Sequence, residues 1–211
     1  MVVKFRIGAS LRFLSHAETV KVFQRACARA GIRLRYSKGF NPRPRLSLPL
    51  PRSVGVESDD DLLCLQVEGS ISSFDSDTFK AKLSGQLPAG CEPLSVRAVK
   101  TKTSFQPSVA AYVFDLRQEY VNERLKARIK RLLASVSLIV HRRIDAKGNI
   151  RDVDVRGFLK SVELADKAIT VKCKTSPAGS IRVAEILELL ELDAKKLAAP
   201  IRRTSVQWQS N

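Results

Sequence analysis

Apolar and charged residues alternate at the start of the chain. In VVKFRI, Val3, Phe5 and Ile7 alternate with two cations, which is the two-residue period of a strand with one buried face. Ser15 and Glu18 follow at the three-residue spacing of a capping box, in which each side chain bonds the other's backbone amide. A first strand and a helix that begins near residue 16 are therefore predicted.

The predicted first helix is apolar on one side and basic on the other. Lys21, Arg25 and Arg29 follow one another at four-residue spacing, so they share one face of the helix. Gly31 ends the helix, and residues 32–36 are predicted to form a strand. The next segment, SKGFNPRPR, is predicted to be a loop because its prolines cannot continue a helix or a central strand.

The rest of the pattern predicts the same order of elements twice. Further strands are predicted at 45–50, 61–68, 93–99, 112–116, 137–143, 157–164, 168–174 and 202–208, and further helices at 74–85, at 119–134 and from 181. Strand, helix, strands, helix and strand in each half fit an α+β fold of two tandem ferredoxin-like βαββαβ halves, each with an added strand. The predicted domains are 1–100 and 109–211, joined by a polar linker at 100–108.

The net charge of the chain indicates the kind of partner it binds rather than its fold. The chain has 211 residues, of which 37 are Lys or Arg and 21 are Asp or Glu, for a formal net charge of +16. This excess favours a polyanionic partner over the role of an ordinary metabolic enzyme. No apolar run approaches the roughly 18 residues of a membrane span, and the first ten residues lack a secretory signal. A cytoplasmic protein that does not contact membranes is predicted.

The cysteines do not form a metal-binding or iron–sulfur pattern. Cys27, Cys64, Cys91 and Cys173 are far apart and match neither a CxxC knuckle nor a close triplet. We expect them to be reduced and three of them to be small core residues. No metal and no cofactor are predicted.

Positive charge is concentrated in the first quarter of the chain. Residues 1–52 contain twelve Lys or Arg and a single acid, Glu18. Arginine pairs with phosphates and aromatic rings stack on unpaired bases, so this segment predicts an RNA-binding surface, stiffened by Pro42 and Pro44. The alternative is a solvated basic face with two aromatic residues in the core. The predicted contacts are Lys21, Arg25, Arg29, Arg33, Arg35, Tyr36, Lys38, Phe40, Arg43 and Arg45.

Two further places are candidates for chemistry. His16, at the start of the first helix, is a candidate general base or acid, with a plain helix-end histidine as the alternative. Gly179, Ser180 and Arg182 are a candidate phosphate site, because Pro177-Ala178-Gly179-Ser180 leads into a helix that Ser180 is predicted to cap. The chain has neither GxxxxGK[ST] nor GxGxxG.

Long ordered motifs also carry a family resemblance. LRFLSHAET at 11–19 and RAGIRLRYSKGFNPRPRLSLPLPRSVGVES at 29–58, with GSIRVAEIL and IRRTSV later, resemble the radical-SAM-associated family, a bacterial domain of unknown function. The resemblance implies a cobalamin-binding radical SAM protein as partner and an accessory role in RNA- or ribosome-linked chemistry. The cysteine triplet of a radical SAM enzyme is absent from this chain.

Three functions follow as hypotheses. The favoured one is a noncatalytic accessory protein that binds RNA or a ribosomal component through its basic surface and serves the radical SAM enzyme. The second is a metal-independent RNA endonuclease that uses His16, on an architectural similarity to the repeat-cleaving enzymes of CRISPR systems. The third is a basic protein-docking module that binds no RNA.

Overall fold

The chain folds into two compact units of mixed α+β structure. The computed structural model describes residues 1–69, 74–100, 103–143, 148–176 and 178–210, and this part contains four α-helices and a large sheet. The N-terminal unit comprises Met1–Pro107 and the residues from Trp208 on, and the C-terminal unit is Ser108–Gln207. The second domain was predicted to extend to residue 211, whereas residues 208–210 are grouped with the first unit. In the predicted linker, residues 101 and 102 lie outside the described residues.

The N-terminal unit is built around a central first strand. Its elements are β1 Val2–Ile7, α1 His16–Arg29, β2 Leu46–Ser47, β3 Glu57–Leu65, α2 Ser76–Ser84 and β4 Cys91–Arg97. β1 pairs antiparallel with β3 on one side and β4 on the other, and β2 pairs with β3. The strand order is therefore β4-β1-β3-β2. In this register Val3 lies opposite Leu63 and Val96, and all three are buried.

The core of this unit confirms the predicted apolar faces. Phe5 from β1 packs edge-to-face on Phe23 from α1, with ring centroids 4.7 Å apart, and Cys27 and Leu83 are fully buried in the same cluster. Full burial of each large apolar side chain contributes about 1.5–3 kcal/mol. The alternation of β1 and the apolar stripe of α1 are thus sufficient to orient strand and helix toward each other.

The predicted capping box at the start of α1 is confirmed. The Ser15 amide donates to Glu18 Oε2 at 2.8 Å, and the Glu18 amide donates to Ser15 Oγ at 3.3 Å. These hydrogen bonds to the carboxylate, together with the nearby Lys21, hold the pKa of Glu18 below its ordinary value. The first turn of α1 is fixed by its own sequence.

Three predicted strands in this unit differ from the structure. Residues 32–36 make only two isolated bridges, Leu34 to Val67 and Tyr36 to Pro44. The strand predicted at 45–50 is reduced to β2, because the flanking prolines lack the amide that a longer ladder needs. β3 begins at Glu57, four residues early, because Ser58 and Asp61 pair with Ile7 and Phe5 of β1. Ser58 and Asp61 are both buried, and the Ser58 hydroxyl donates to the Asp61 carboxylate. An acidic run is atypical of strands, so the sequence did not indicate it.

The C-terminal unit combines two helices with strands of the large sheet and a separate two-stranded ribbon. Its elements are β5 Phe105–Asp115, α3 Glu123–Ala134, β6 Ile139–Arg143, β7 Ile150–Asp154, β8 Leu159–Ala165, β9 Ala168–Ser176, β10 Gly179–Ser180, α4 Val183–Leu189 and β11 Arg202–Ser210. Residues 105–107 of β5 and 208–210 of β11 are grouped with the N-terminal unit. β9 lies between β8 and β5, and β5 lies beside β11. β6 and β7 form a separate two-stranded ribbon, and β7 was not predicted.

Both helices of this unit begin later than predicted. Asn122 Oδ1 accepts from the Leu125 amide at 3.1 Å, so α3 begins at Glu123 rather than at 119. The prediction that Ser180 caps the last helix is wrong, because Ser180 lies in β10 and Arg182 occupies the N-cap position of α4.

Candidate nucleic-acid interface

Residues 33–46 fold back on themselves as a hairpin, here called the arginine hairpin. The Arg45 amide donates to the Arg35 carbonyl at 2.7 Å, and the Ser37 amide donates to the Arg43 carbonyl at 2.9 Å. The hairpin is joined to the end of β3 at Gln66, whose carbonyl accepts from the Arg35 amide at 2.8 Å and whose amide donates to the Arg45 carbonyl at 2.9 Å. Backbone bonds therefore fix both arms of a segment that contains two prolines.

The tip of the arginine hairpin is closed by a short side-chain bond. The Arg43 amide donates to Ser37 Oγ at 2.9 Å, and Gly39 adopts φ +133°, a conformation that favours glycine. Pro42 and Pro44 restrict the backbone on the returning arm. The tip residue Phe40 is fully exposed to solvent.

Most of the cations predicted to bind RNA are exposed and form no ion pair with an acid of the described residues. Among the described residues no carboxylate lies within 4.0 Å of their charged nitrogens. Within the described ranges, one of the charged side chains of the hairpin forms a hydrogen bond, a long one of 3.4 Å from Arg45 Nε to the Tyr36 carbonyl. The residues concerned are Lys21 and Arg25 on α1, and Arg33, Arg35, Lys38, Arg43 and Arg45 on the arginine hairpin.

Arg29, the third member of the ridge on α1, has a structural contact. Its Nη2 donates to the Gln86 carbonyl at 2.6 Å and its Nε to Gln86 Oε1 at 3.3 Å. The guanidinium is exposed but ties the end of α1 to the loop after α2. Arg29 therefore differs from Lys21 and Arg25, whose side chains make no such contact in the described part of the chain.

Besides Arg29, four of the twelve cations in residues 1–52 are bound by other groups of the chain. Lys4 pairs with Asp60 at 3.0 Å, Arg6 with Glu92 at 2.5 Å and Arg12 with Glu57 at 3.9 Å. The fourth, Arg52, is buried and donates to backbone carbonyls. The acids concerned come from later in the chain, so the local charge count overstated the free charge of this segment.

The predicted residues lie on two sides of the arginine hairpin. Arg35 and Arg45 line one cleft of the N-terminal unit together with Lys100, which the sequence did not single out. Tyr36 lines another, with Arg33 and residues of α1 and the turn after it. Arg35 and Tyr36 are neighbours in an extended segment, where successive side chains point to opposite faces, so these two line different clefts.

His16 is the first residue of α1 and is exposed. Ser15, not His16, supplies the side chain that caps the helix. Within the described ranges no side chain forms a hydrogen bond with the imidazole, so none orients it as a general base or acid requires.

The candidate phosphate site in the C-terminal unit holds a carboxylate of the chain itself. Arg142 Nε and Nη2 donate to the two oxygens of buried Glu185 at 2.6 and 2.8 Å, and Arg142 Nη2 also donates to the Ser180 carbonyl at 2.6 Å. The Arg182 amide donates to Glu185 at 2.8 Å. The bond with Glu185 raises the pKa of Arg142. Gly179 lies in β10 beside these groups, and Pro177 lies outside the described residues.

The basic face of α3 is also partly neutralised within its unit. Arg124 and Arg128 pair with Glu191, just beyond α4, at 3.1 and 3.0 Å, and Arg128 also donates to the Leu189 carbonyl at 2.7 Å. These arginines, Arg128 first, lower the pKa of Glu191. The arginine hairpin keeps a higher share of free cations than this helix.

The cysteines have the predicted character. All four are free thiols, and Cys27, Cys91 and Cys173 are buried. Burial raises the pKa of Cys27 to about 11 and those of Cys91 and Cys173 to about 12.

The described ranges contain no cluster of His, Cys, Asp and Glu suited to a metal ion, and none of their helices is long and apolar enough to cross a membrane.

Fold and site together define an α+β protein with an exposed cationic hairpin on its N-terminal unit. The chain belongs to the family described as uncharacterized protein conserved in bacteria (DUF2344), whose model matches residues 1–190. This match confirms the predicted membership in a bacterial family of unknown function. Association with a radical SAM enzyme stays a prediction. No curated protein matches the chain.

Proposed function

We propose that this protein is a noncatalytic RNA-binding accessory protein that binds RNA through the arginine hairpin and the exposed cations of α1. The observation that carries the proposal is the absence of internal carboxylates around these cations in the described part of the chain. An arginine already paired with an internal acid must break that pair to bind a phosphate. Within the described ranges, the arginines of the hairpin have no such pair to break.

The chemistry of the hairpin suits a single strand of RNA. Guanidinium groups bind phosphates through two parallel hydrogen bonds, and exposed aromatic rings stack on unpaired bases of any sequence. Tyr36 and Phe40 are both mostly exposed and lie between cations in the chain. The backbone bonds and prolines hold the hairpin in one shape, so binding orders less of it than a flexible loop would require.

The proposed partner is a cobalamin-binding radical SAM protein, and the RNA is ribosomal or ribosome-linked. This part of the proposal depends on the family resemblance of the motifs at 11–19 and 29–58. Much of the second motif forms the arginine hairpin and the loop that holds Arg52, so the residues that carry the resemblance also build the proposed RNA surface.

We further propose that both units are ferredoxin-like. In the N-terminal unit the order is β4-β1-β3-β2. In the C-terminal unit β11, β5, β9 and β8 lie in that order, so the last strand is again beside the first and the third lies between the first and the second. The same order in both units supports a tandem βαββαβ arrangement, with β6, β7 and β10 as additions.

The test is RNA binding as a function of salt. We expect the full chain to bind single-stranded RNA with an affinity that falls steeply with salt, by a logarithmic slope of about 0.7 per phosphate contact. Arg43→Glu with Arg45→Glu should weaken binding at least tenfold and flatten the slope. The matched control is Lys82→Glu with Lys130→Glu, which makes the same change in net charge at exposed lysines on α2 and α3.

Four results would contradict the proposal. If the control pair weakened binding as much as the hairpin pair, only net charge would matter. Affinity that does not change with salt would exclude phosphate contacts altogether. RNA cleavage by the wild type that is lost in His16→Ala would establish the endonuclease instead, and a protein complex that survives nuclease treatment without bound RNA would establish the docking module.

A further inference from the structure

A cleft of about 530 Å³ lies beside the arginine hairpin, within the N-terminal unit. Three cationic side chains line it, Arg35 and Arg45 from the hairpin and Lys100 after β4, and the described residues that line it include no Asp or Glu. Among the described residues, none of these three cations has a carboxylate within 4.0 Å. The cleft is therefore complementary in charge to an anion, although Arg35 and Lys100 are 65 positions apart in the chain.

The cleft also offers the groups that a heterocyclic base requires. Apolar side chains of Val67, Phe74 and Phe105 form part of its lining. Gln66 lies among them, with its backbone held by both arms of the hairpin, while its side-chain amide has no hydrogen-bond partner in the described ranges. Ser47 and Thr103 add hydroxyl groups. An amide and hydroxyls beside rings can bond the edge of a base that packs against those rings.

We propose that this cleft binds a single nucleotide, with its phosphate at Arg35, Arg45 and Lys100 and its base against the apolar lining. The volume is in the range of pockets that enclose small ligands. Charge alone would also suit a simple anion, but the aromatic lining and the free Gln66 amide favour a ligand with a planar polar ring. The nucleotide is either free or an unpaired residue of bound RNA. The second case rests on the proposed function, because Arg35 and Arg45 belong to both surfaces.

Cys64 provides a direct measure of whether the cleft is occupied. It lines the cleft and is only partly buried, whereas Cys27, Cys91 and Cys173 are buried. Burial raises the pKa of Cys64, so alkylation should be slow and is best followed at about pH 8.5. A bound nucleotide covers this thiol, and the three buried cysteines show in the same sample whether the protein has unfolded.

The experiment measures the alkylation rate of Cys64 in the full chain by mass spectrometry. Adenosine 5′-monophosphate, adenosine, inorganic phosphate, a single-stranded RNA and a duplex RNA are compared, with RNA binding measured in parallel. We expect the monophosphate to slow alkylation at least fivefold, and adenosine or phosphate alone to do so much less. The single-stranded RNA should protect Cys64 if the ligand is an RNA residue, and the duplex should not.

A charge variant separates binding in the cleft from general attraction. Lys100→Glu should weaken protection by the monophosphate about tenfold, the loss typical of one charge-assisted hydrogen bond. Lys82→Glu, on α2 and away from the cleft, should leave protection unchanged. Equal effects of the two variants would overturn the assignment of the phosphate to the cleft.

The outcomes for the two proposals are distinguishable. If RNA binds but neither it nor the monophosphate protects Cys64, the cleft proposal fails and RNA binding stands. If the monophosphate protects Cys64 while no RNA binds, the cleft is a site for free nucleotides and the RNA proposal fails. Protection by neither ligand, without RNA binding, overturns both.

Discussion

Replacement of Arg52 by methionine should destabilise the N-terminal unit strongly. Arg52 is only 9% exposed. Its Nη1 donates to the Val56 carbonyl at 2.5 Å and to the Arg12 carbonyl at 2.7 Å, and its Nη2 donates to the Leu11 carbonyl at 3.2 Å. One guanidinium therefore joins the loop after β2 to the turn that leads into α1. Methionine keeps much of the length of the side chain but removes every donor.

The expected loss follows from these bonds. A hydrogen bond that involves a charged group contributes about 1.5–3 kcal/mol, and a buried carbonyl left without a donor is itself unfavourable. Since the variant also avoids the cost of burying a cation, we expect a net loss of about 3 kcal/mol rather than the sum of the bonds. For a chain of this size that corresponds to a fall of about 10 °C in Tm if unfolding is cooperative.

The measurement is thermal and urea unfolding followed by circular dichroism. Arg52→Lys should lie between the wild type and Arg52→Met, because an ammonium group has fewer donors and cannot span the same carbonyls. Arg43→Met, an exposed change at the hairpin tip, is the control and should leave Tm within about 2 °C of the wild type. If Arg52→Met were as stable as Arg43→Met, the carbonyl contacts of Arg52 would not stabilise the fold.

Two further changes test the backbone and the first helix. Gly90→Ala should lower the free energy of unfolding by about 3 kcal/mol, because Gly90 has φ +90° and an added Cβ would lie 2.9 Å from the Gly8 carbonyl oxygen. Gly69→Ala is the control: Gly69 has φ +103° but open space around it, so this change should cost less stability in urea unfolding. Equal losses in the two variants would show that the close approach to Gly8 is unimportant. Glu18→Gln should lower stability at neutral pH but not in acid. The folded-state pKa of Glu18 is depressed, so its contribution is present above its unfolded-state pKa and is lost as pH falls through the folded-state pKa. A difference in Tm between wild type and Glu18→Gln that is the same at about pH 7 and about pH 3 would refute this origin.

Much of the candidate site could be predicted because its members are close in sequence. The arginine hairpin is a continuous segment, and the glycine and prolines within it are themselves typical of a loop. Lys100, Phe74 and Phe105 could not be assigned to the site in this way. No local pattern marks them, and only the fold brings them beside Arg35 and Arg45.

The sequence also could not show which cations are free. From the sequence around them, Arg6 and Arg43 are both predicted to be exposed cations. In the structure Arg6 pairs with Glu92, whereas Arg43 has no acidic partner in the described part of the chain. In the C-terminal unit, the sequence likewise could not show that an acid of the chain itself lies at the candidate phosphate site. Glu185 and Arg142 are 43 residues apart, and their bidentate pair occupies the place where an external anion was predicted.

By itself the sequence determined the elements whose stability is local or periodic: the alternation of β1, the capping box and apolar stripe of α1, the α+β class and the excess of positive charge. The tertiary structure decided the pairing of distant strands, the neutralisation of particular cations and the shape of the cleft. The physical reason is the separation along the chain of the residues that interact. Capping and periodicity act within a few residues, whereas ion pairs and pockets depend on distances through space between residues that the chain separates by tens of positions.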